Sequence, residues 1–124
     1  MTEALLGTQS AEKVALIITT ASQTIEKRSP LPDAYALIGA HPNPFNPVTT
    51  ISYALPEQAN AKVVVFNILG QEIRTLVSGV QPAGYYNVVW DGRDNTGIAV
   101  GSGVYLYRLT AGSFVESKRM TLLK

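Results

Sequence analysis

From residue 34 onward, apolar and polar positions alternate in short bursts separated by Gly, Pro, Asn and Asp. In Thr50-Ile51-Ser52-Tyr53-Ala54-Leu55 the side chains of Ile51, Tyr53 and Leu55 fall on one face, with small or polar groups on the other. That period of two is the mark of a half-buried strand, and Pro56 closes it. The run Val63-Val64-Val65-Phe66 within Lys62 to Asn67 is apolar throughout, which predicts a central strand covered on both sides. Glu72 to Val77 predicts a third, less cleanly patterned strand. In Tyr85 to Trp90, Tyr86, Val88 and Trp90 share a face, and the single tryptophan is expected to anchor the core there. Gly103 to Leu109 sets Tyr105, Tyr107 and Leu109 opposite Arg108, and the stretch from Phe114 onward pairs Met120 with Leu122 on one face. Turn formers sit between these runs at Asn67 to Gly70, Gln81 to Gly84, Asp91 to Gly97 and Ala111 to Ser113. The expected fold is all-β: an antiparallel sandwich of six or seven strands over 34–124.

Residues 1–33 follow a different pattern and are expected to form an extension and linker. The β-branched run Val14 to Thr20 predicts a strand, with a helix over 11–25 as the competing reading. Ser22 to Asp33 mixes charges with Pro30 and Pro32 and reads as linker. A strand at 14–20 would carry unpaired edges, so it is expected to join the sandwich's own sheet or to pair between two copies. The first residues lack the cationic region and apolar run of a signal peptide, so the export signal of any secreted parent is expected upstream. No stretch reaches the roughly 18–20 apolar residues that a helical membrane span needs.

Charge and composition narrow the chemistry. Ten Lys and Arg against nine Asp and Glu give a formal net charge of +1, which offers no clustered basic surface for nucleic acid. With no cysteine, disulfides, thiolate nucleophiles and Cys-type zinc sites are excluded. His41 is the sole histidine and any Ser-His-Asp arrangement would depend on it; a loop or solvent role fits its proline-rich setting better. Glu57, Glu72 and Glu116 show no spacing that selects an acid–base pair. Asp91, Asp94 and Asn95 form a candidate Ca²⁺ loop, but Arg93 stands where a further oxygen ligand would belong, and Asx turns account for the same residues. Gly101-Ser102-Gly103 lacks the third glycine of a dinucleotide loop and reads as a bend. Tyr85, Tyr86, Tyr105 and Tyr107 could stack on sugars, though aromatics at period two more commonly pack across strands. These readings point to a protein without catalysis and without a cofactor.

At Pro42-Asn43-Pro44-Phe45-Asn46-Pro47 the chain closely resembles the C-terminal sorting domain, type A, of type IX secretion cargo, and it is similar to the Ig-like domain of the flagellar hook-capping protein. The resemblance spans about residues 35–124. It continues through Val65 to Glu72, Pro82-Ala83-Gly84-Tyr85-Tyr86, Val89-Trp90-Asp91-Gly92, Ser102 to Leu109 and Lys118 to Lys124. His41 departs from the pattern, standing where an aromatic is more usual. The resemblance implies an Ig-like sandwich serving as an address tag. Its parent would cross the inner membrane, fold in the periplasm and engage an outer-membrane translocon, and a sortase-like protease would cut between about Ser22 and Tyr35. The product would then be secreted or held at the cell surface. Carried over by position, the recognition residues are Pro82, Gly84, Tyr86, Gly103, Tyr105, Tyr107, Lys118, Arg119, Leu122 and Lys124. From Val104 onward the cations Arg108, Lys118, Arg119 and Lys124 face a single acid, Glu116, so the tail is expected to be either a docking patch or an edge guarded against aggregation. A glycan-binding or adhesive module and a structural assembly part are the alternative functions.

Overall fold

The computed structural model describes residues 31–124. The strand expected over 14–20, the linker up to residue 30 and any pairing through 14–20 lie outside them. The described residues form seven strands and no helix: β1 (Ala36–His41), β2 (Thr49–Leu55), β3 (Ala59–Asn67), β4 (Glu72–Gln81), β5 (Gly84–Trp90), β6 (Gly103–Ala111) and β7 (Phe114–Leu122). They make two antiparallel sheets, one ordered β1-β2-β5 and the other β4-β3-β6-β7. This is the antiparallel sandwich that the alternation predicts, Ig-like as the resemblance implies.

The core forms where the inward positions of the two sheets meet. Leu37, Ile51, Tyr53 and Leu55 come from one sheet, and Val63, Val65, Tyr107, Leu109, Met120 and Leu122 from the other, all nearly or fully buried. Burial of each such large side chain stabilises the fold by about 1.5–3 kcal/mol, which makes this layer the main source of stability. β3 is central as predicted, lying between β4 and β6, but only its inner face packs against the second sheet; on its outer face Val64 is buried while Lys62 is exposed.

Two elements differ from the sequence reading. β1 is a strand that the alternation does not single out, because its register shifts between Leu37 and Gly39 and the period of two is broken there. β4 runs to Gln81 instead of ending at Val77, and its pairing with β3 shifts register twice, between Val63 and Val64 and between Val65 and Phe66. Each irregularity moves side chains off a strict period of two and blurs the pattern.

The outer edges of the four-stranded sheet are partly covered by loops. Along β7, Asn43 Nδ2 donates to the Arg119 carbonyl at 3.2 Å and Asn43 Oδ1 accepts the Thr121 N–H at 3.0 Å. Phe45 N then donates to the Thr121 carbonyl and Leu123 N to the Phe45 carbonyl, both at 2.9 Å. Along β4, Asn95 N donates to the Ile73 carbonyl and Asn95 Oδ1 accepts the Thr75 N–H, both at 3.0 Å. Covered edges cannot pair with another chain.

Candidate functional site

The motif blocks of the sequence gather at the two ends of the sandwich and on the last strand. At one end, Trp90 is fully buried between Phe45, 5.5 Å away and tilted, and Tyr105, 5.3 Å away edge-on. Its Nε1 donates to the Arg93 carbonyl at 2.9 Å. Thr49, the one fully buried polar residue among those described, donates its hydroxyl to the Pro42 carbonyl at 2.8 Å. Gly92 turns the chain beneath this cluster with φ +77, and a Cβ there would lie 3.2 Å from the Pro47 carbonyl oxygen. Glycine is therefore required both by the backbone angle and by the close approach of the proline loop.

At the other end the closure is made of tyrosines. Tyr53 and Tyr86 stack at 5.3 Å, and Tyr35 stacks on Phe114 at 5.5 Å. Tyr53 donates to Gln81 Oε1 at 2.6 Å; burial nonetheless raises its pKa above the usual tyrosine value, an effect the Gln81 bond partly offsets.

The two glycine-plus-tyrosine blocks turn out to be the same device. Tyr86 donates its hydroxyl to the Pro82 carbonyl at 2.6 Å and Tyr105 donates to the Gly101 carbonyl at 2.7 Å, each reaching back four residues. In both, the tyrosine follows a glycine, Gly84 or Gly103, by two residues. Such tyrosine corners pin the chain where it enters a strand of an Ig-like sandwich. Burial raises the pKa of Tyr105, and also that of Tyr107, whose ring lies inside the core.

Thus Pro82, Gly84, Tyr86, Gly103, Tyr105 and Tyr107 sit where they shape the fold. Leu122 is fully buried as well, whereas Arg119 and Lys124 are exposed and Lys118 is half-buried. The structure does not bring the four tail cations together. Arg108 and Arg119 lie on the outer face of the four-stranded sheet, because their cross-strand partners Val64 and Leu106 alternate with buried inward residues. Lys118 pairs with Tyr107 and so belongs to the opposite face.

The remaining candidates resolve into local structure. Asp94 Oδ1 accepts from Thr96 Oγ1 at 2.6 Å, Thr96 N at 2.9 Å and Ile98 N at 3.0 Å. These bonds, the threonine hydroxyl foremost, hold its pKa below the ordinary carboxylate value. Asp91 Oδ1 accepts from Arg93 N at 3.2 Å, and the Asn95 side-chain oxygen is taken by Thr75. Asp91 and Asp94 thus each accept the N–H two residues on, the arrangement of Asx turns, while Asn95 is bonded across to β4. Glu57 accepts from Tyr35, Glu72 from Thr75 and Glu116 from Leu37 N, so the three glutamates stand apart, and His41 is an exposed residue at the end of β1. Of the four tyrosines weighed as a stacking platform, Tyr85 alone presents most of its side chain to solvent.

The sequence reading missed Asn43 and Asn95 as edge covers. It placed Arg108 among the tail cations but not its setting: the guanidinium carbon lies 4.7 Å over the Phe66 ring centre while its Nε donates to Ser117 Oγ at 3.1 Å. The shared spacing of glycine and tyrosine after Pro82 and Gly101 was the signal that could have identified the two corners.

Comparison with known proteins agrees with this geometry. The sequence profile of the FlgD Ig-like domain matches residues 46–113, more than half of the chain. No curated protein matches. Among solved structures, dimeric latent PorU from Porphyromonas gingivalis superposes with a TM-score of 0.60 at 19% identity, covering 81% of this chain and 10% of that one. PorZ, described as an essential bacterial surface component of the type-IX secretion system of Porphyromonas gingivalis, gives a TM-score of 0.47 at 23% identity over 74% of this chain and 12% of that one. FlgD from P. aeruginosa gives 0.48 at 23% identity over 60% and 58%. The likeness to PorU is one of fold, and this chain spans about a tenth of the length of that protein.

Proposed function

The chain belongs to the FlgD Ig-like domain family, and from that starting point we propose that it is a sorting module of the type IX secretion type A kind, which carries a larger protein from the periplasm to the cell surface without catalysing any reaction. The observation that carries this reading is the meeting of the sorting-domain sequence blocks. The proline loop clamps the last strand through Asn43 and Phe45, the Trp-Asp-Gly turn packs against that loop, and both tyrosine corners brace the ends. Arg119 and Lys124 stay exposed beside the clamp. The same fold forms about a tenth of PorU, as an appended module would.

In this reading an outer-membrane translocon is the partner that recognises the module, and a sortase-like protease cuts between about Ser22 and Tyr35. Recognition falls to Arg119, Lys124 and the partly exposed Lys118, while the buried members of the motif hold them in place. Much of the C-terminal half of the β7 edge is occupied, so reading by strand addition is disfavoured there and reading of side chains is favoured.

The test is a periplasmic reporter fused ahead of the chain in a type IX host. Surface display is expected, together with its loss when Arg119 and Lys124 are both changed to Glu; undiminished display of that variant would refute recognition through these residues. Point changes are needed because a deletion from Lys118 onward would also remove the fully buried Met120 and Leu122.

A second reading draws on the outer face of the three-stranded sheet, where Thr50, Ser52, Tyr85 and Asn87 lie together without a charge, as a surface for neutral glycans would. Polysaccharide binding that is abolished by Tyr85→Ala would favour it.

A further inference from the structure

The outer face of the four-stranded sheet carries charges that its place in the fold does not explain. Val64, Phe66 and Leu106 form its centre, and Lys62, Arg108 and Arg119 stand around them. A single carboxylate, Glu72, shares the face, at the β4 side next to Phe66, and it accepts the Thr75 hydroxyl. Among the described residues the one ion pair is Arg93 with Asp91, far along the chain from these cations.

Cations commonly guard edge strands against pairing with other chains. That explanation covers Arg119 on β7. It does not cover Lys62 on β3 or Arg108 on β6, since both strands are interior to the sheet. Arg108 is also held in place: its guanidinium carbon lies over the Phe66 ring and its Nε donates to Ser117 Oγ. Its two terminal nitrogens have no protein acceptor among the described residues and form the fork that grips a carboxylate with two parallel bonds. An aromatic and aliphatic centre with an ordered arginine has the composition of a protein-binding hot spot.

We propose that this face, centred on Phe66 and Arg108, docks an acidic protein segment of the transport apparatus. The proposal rests on the sorting reading and names the surface through which the partner is held. Carboxylates of the partner meet Arg108, Lys62 and Arg119, and its apolar side chains cover Phe66 and Leu106.

The experiment uses the full chain behind a periplasmic reporter in a type IX host, with protease resistance of the periplasmic pool as the check on folding. Lys62→Glu with Arg108→Glu is expected to lower surface display by at least about tenfold, with the reporter held in the periplasm. The neutralising pair Lys62→Gln and Arg108→Gln is expected to lower it less and serves as the readout if the charge-reversed pair loses protease resistance. Thr50→Glu, on the opposite outer face, is expected to leave display unchanged. Display of folded Gln or Glu variants at the unmodified level overturns the docking face and leaves the sorting reading standing. Retention of the unmodified reporter in the periplasm overturns the sorting reading, and the docking face with it. Purified chain is also sedimented with vesicles of phosphatidylglycerol and phosphatidylcholine. Co-sedimentation lost in the Glu variant would assign the face to an anionic lipid surface and overturn the acidic protein partner.

Discussion

The two ends of the sandwich are closed by different means, and the contrast shows which parts of the motif hold the fold hardest. The tryptophan end is dry: Trp90 is fully buried and Phe45 nearly so, with Thr49 sealed beneath the proline loop. The tyrosine end is built from stacked rings whose hydroxyls reach polar partners near the surface, and Tyr86 is only half-buried. A tyrosine corner is present at each end, so the local bond is shared and the surroundings differ. Tertiary contacts, more than the local motif, set what each corner contributes.

The sharpest test of that contrast is Trp90→Ala, expected to cost about 3–5 kcal/mol because a large side chain leaves a cavity that two rings and a proline loop line. Tyr86→Ala should cost roughly half as much, and equal shifts in denaturant midpoint for the two would break the comparison. A smaller effect separates two turn glycines. Gly92→Ala places a methyl group against the Pro47 carbonyl at φ +77, for an expected loss of roughly 2–3 kcal/mol. Gly112→Ala, at φ +59 in the β6–β7 turn, meets nothing closer than the Tyr35 hydroxyl at 3.9 Å and should cost only roughly 1 kcal/mol. Thermal unfolding of the two variants side by side reads the difference.

Removing one hydroxyl from each corner refines the comparison further. Tyr105→Phe leaves the Gly101 carbonyl short of a partner in a more buried place and should cost roughly 1.5 kcal/mol, against roughly 0.5 kcal/mol for Tyr86→Phe. A reversal of that order in chemical denaturation would mean that the surroundings do not control the corner. The smallest effect concerns pH. The pKa of Asp94 is depressed when folded, so its contribution is present above the usual carboxylate value of about 3.9 and is lost as pH falls through the folded value. Asp94 belongs to the loop beside Trp90, so acid below the usual carboxylate value is expected to loosen hydrogen-exchange protection at Thr96 and Ile98 before it affects Tyr53. Asp94→Asn should remove that pH dependence.

Much of the sandwich could be read directly from alternation. Ile51, Tyr53 and Leu55, then Tyr105, Tyr107 and Leu109, face inward as their spacing requires. The pattern failed at β1 and along Glu72 to Val77 of β4, where register shifts moved side chains off the strict period. The candidate surface was less legible. Adjacent Lys118 and Arg119 look like one basic patch in sequence, yet the pleat sends them to opposite faces. Arg108 gained its setting from Phe66 and Ser117, which are distant in sequence or on another strand, and no local pattern announces such a contact. The two asparagines that cover sheet edges are equally silent, because in sequence they resemble ordinary turn residues.

The seating of the last strand has a consequence for the order of events during synthesis. Met120 and Leu122 complete the core, and residues 119–123 receive the bonds of a loop made some eighty residues earlier. An emerging chain therefore lacks the pieces to shut its tryptophan end until translation has passed this strand. A truncated product would hold that end open and offer proteases an unfinished body. The tryptophan end is thereby closed only in a chain that has been made through Leu122.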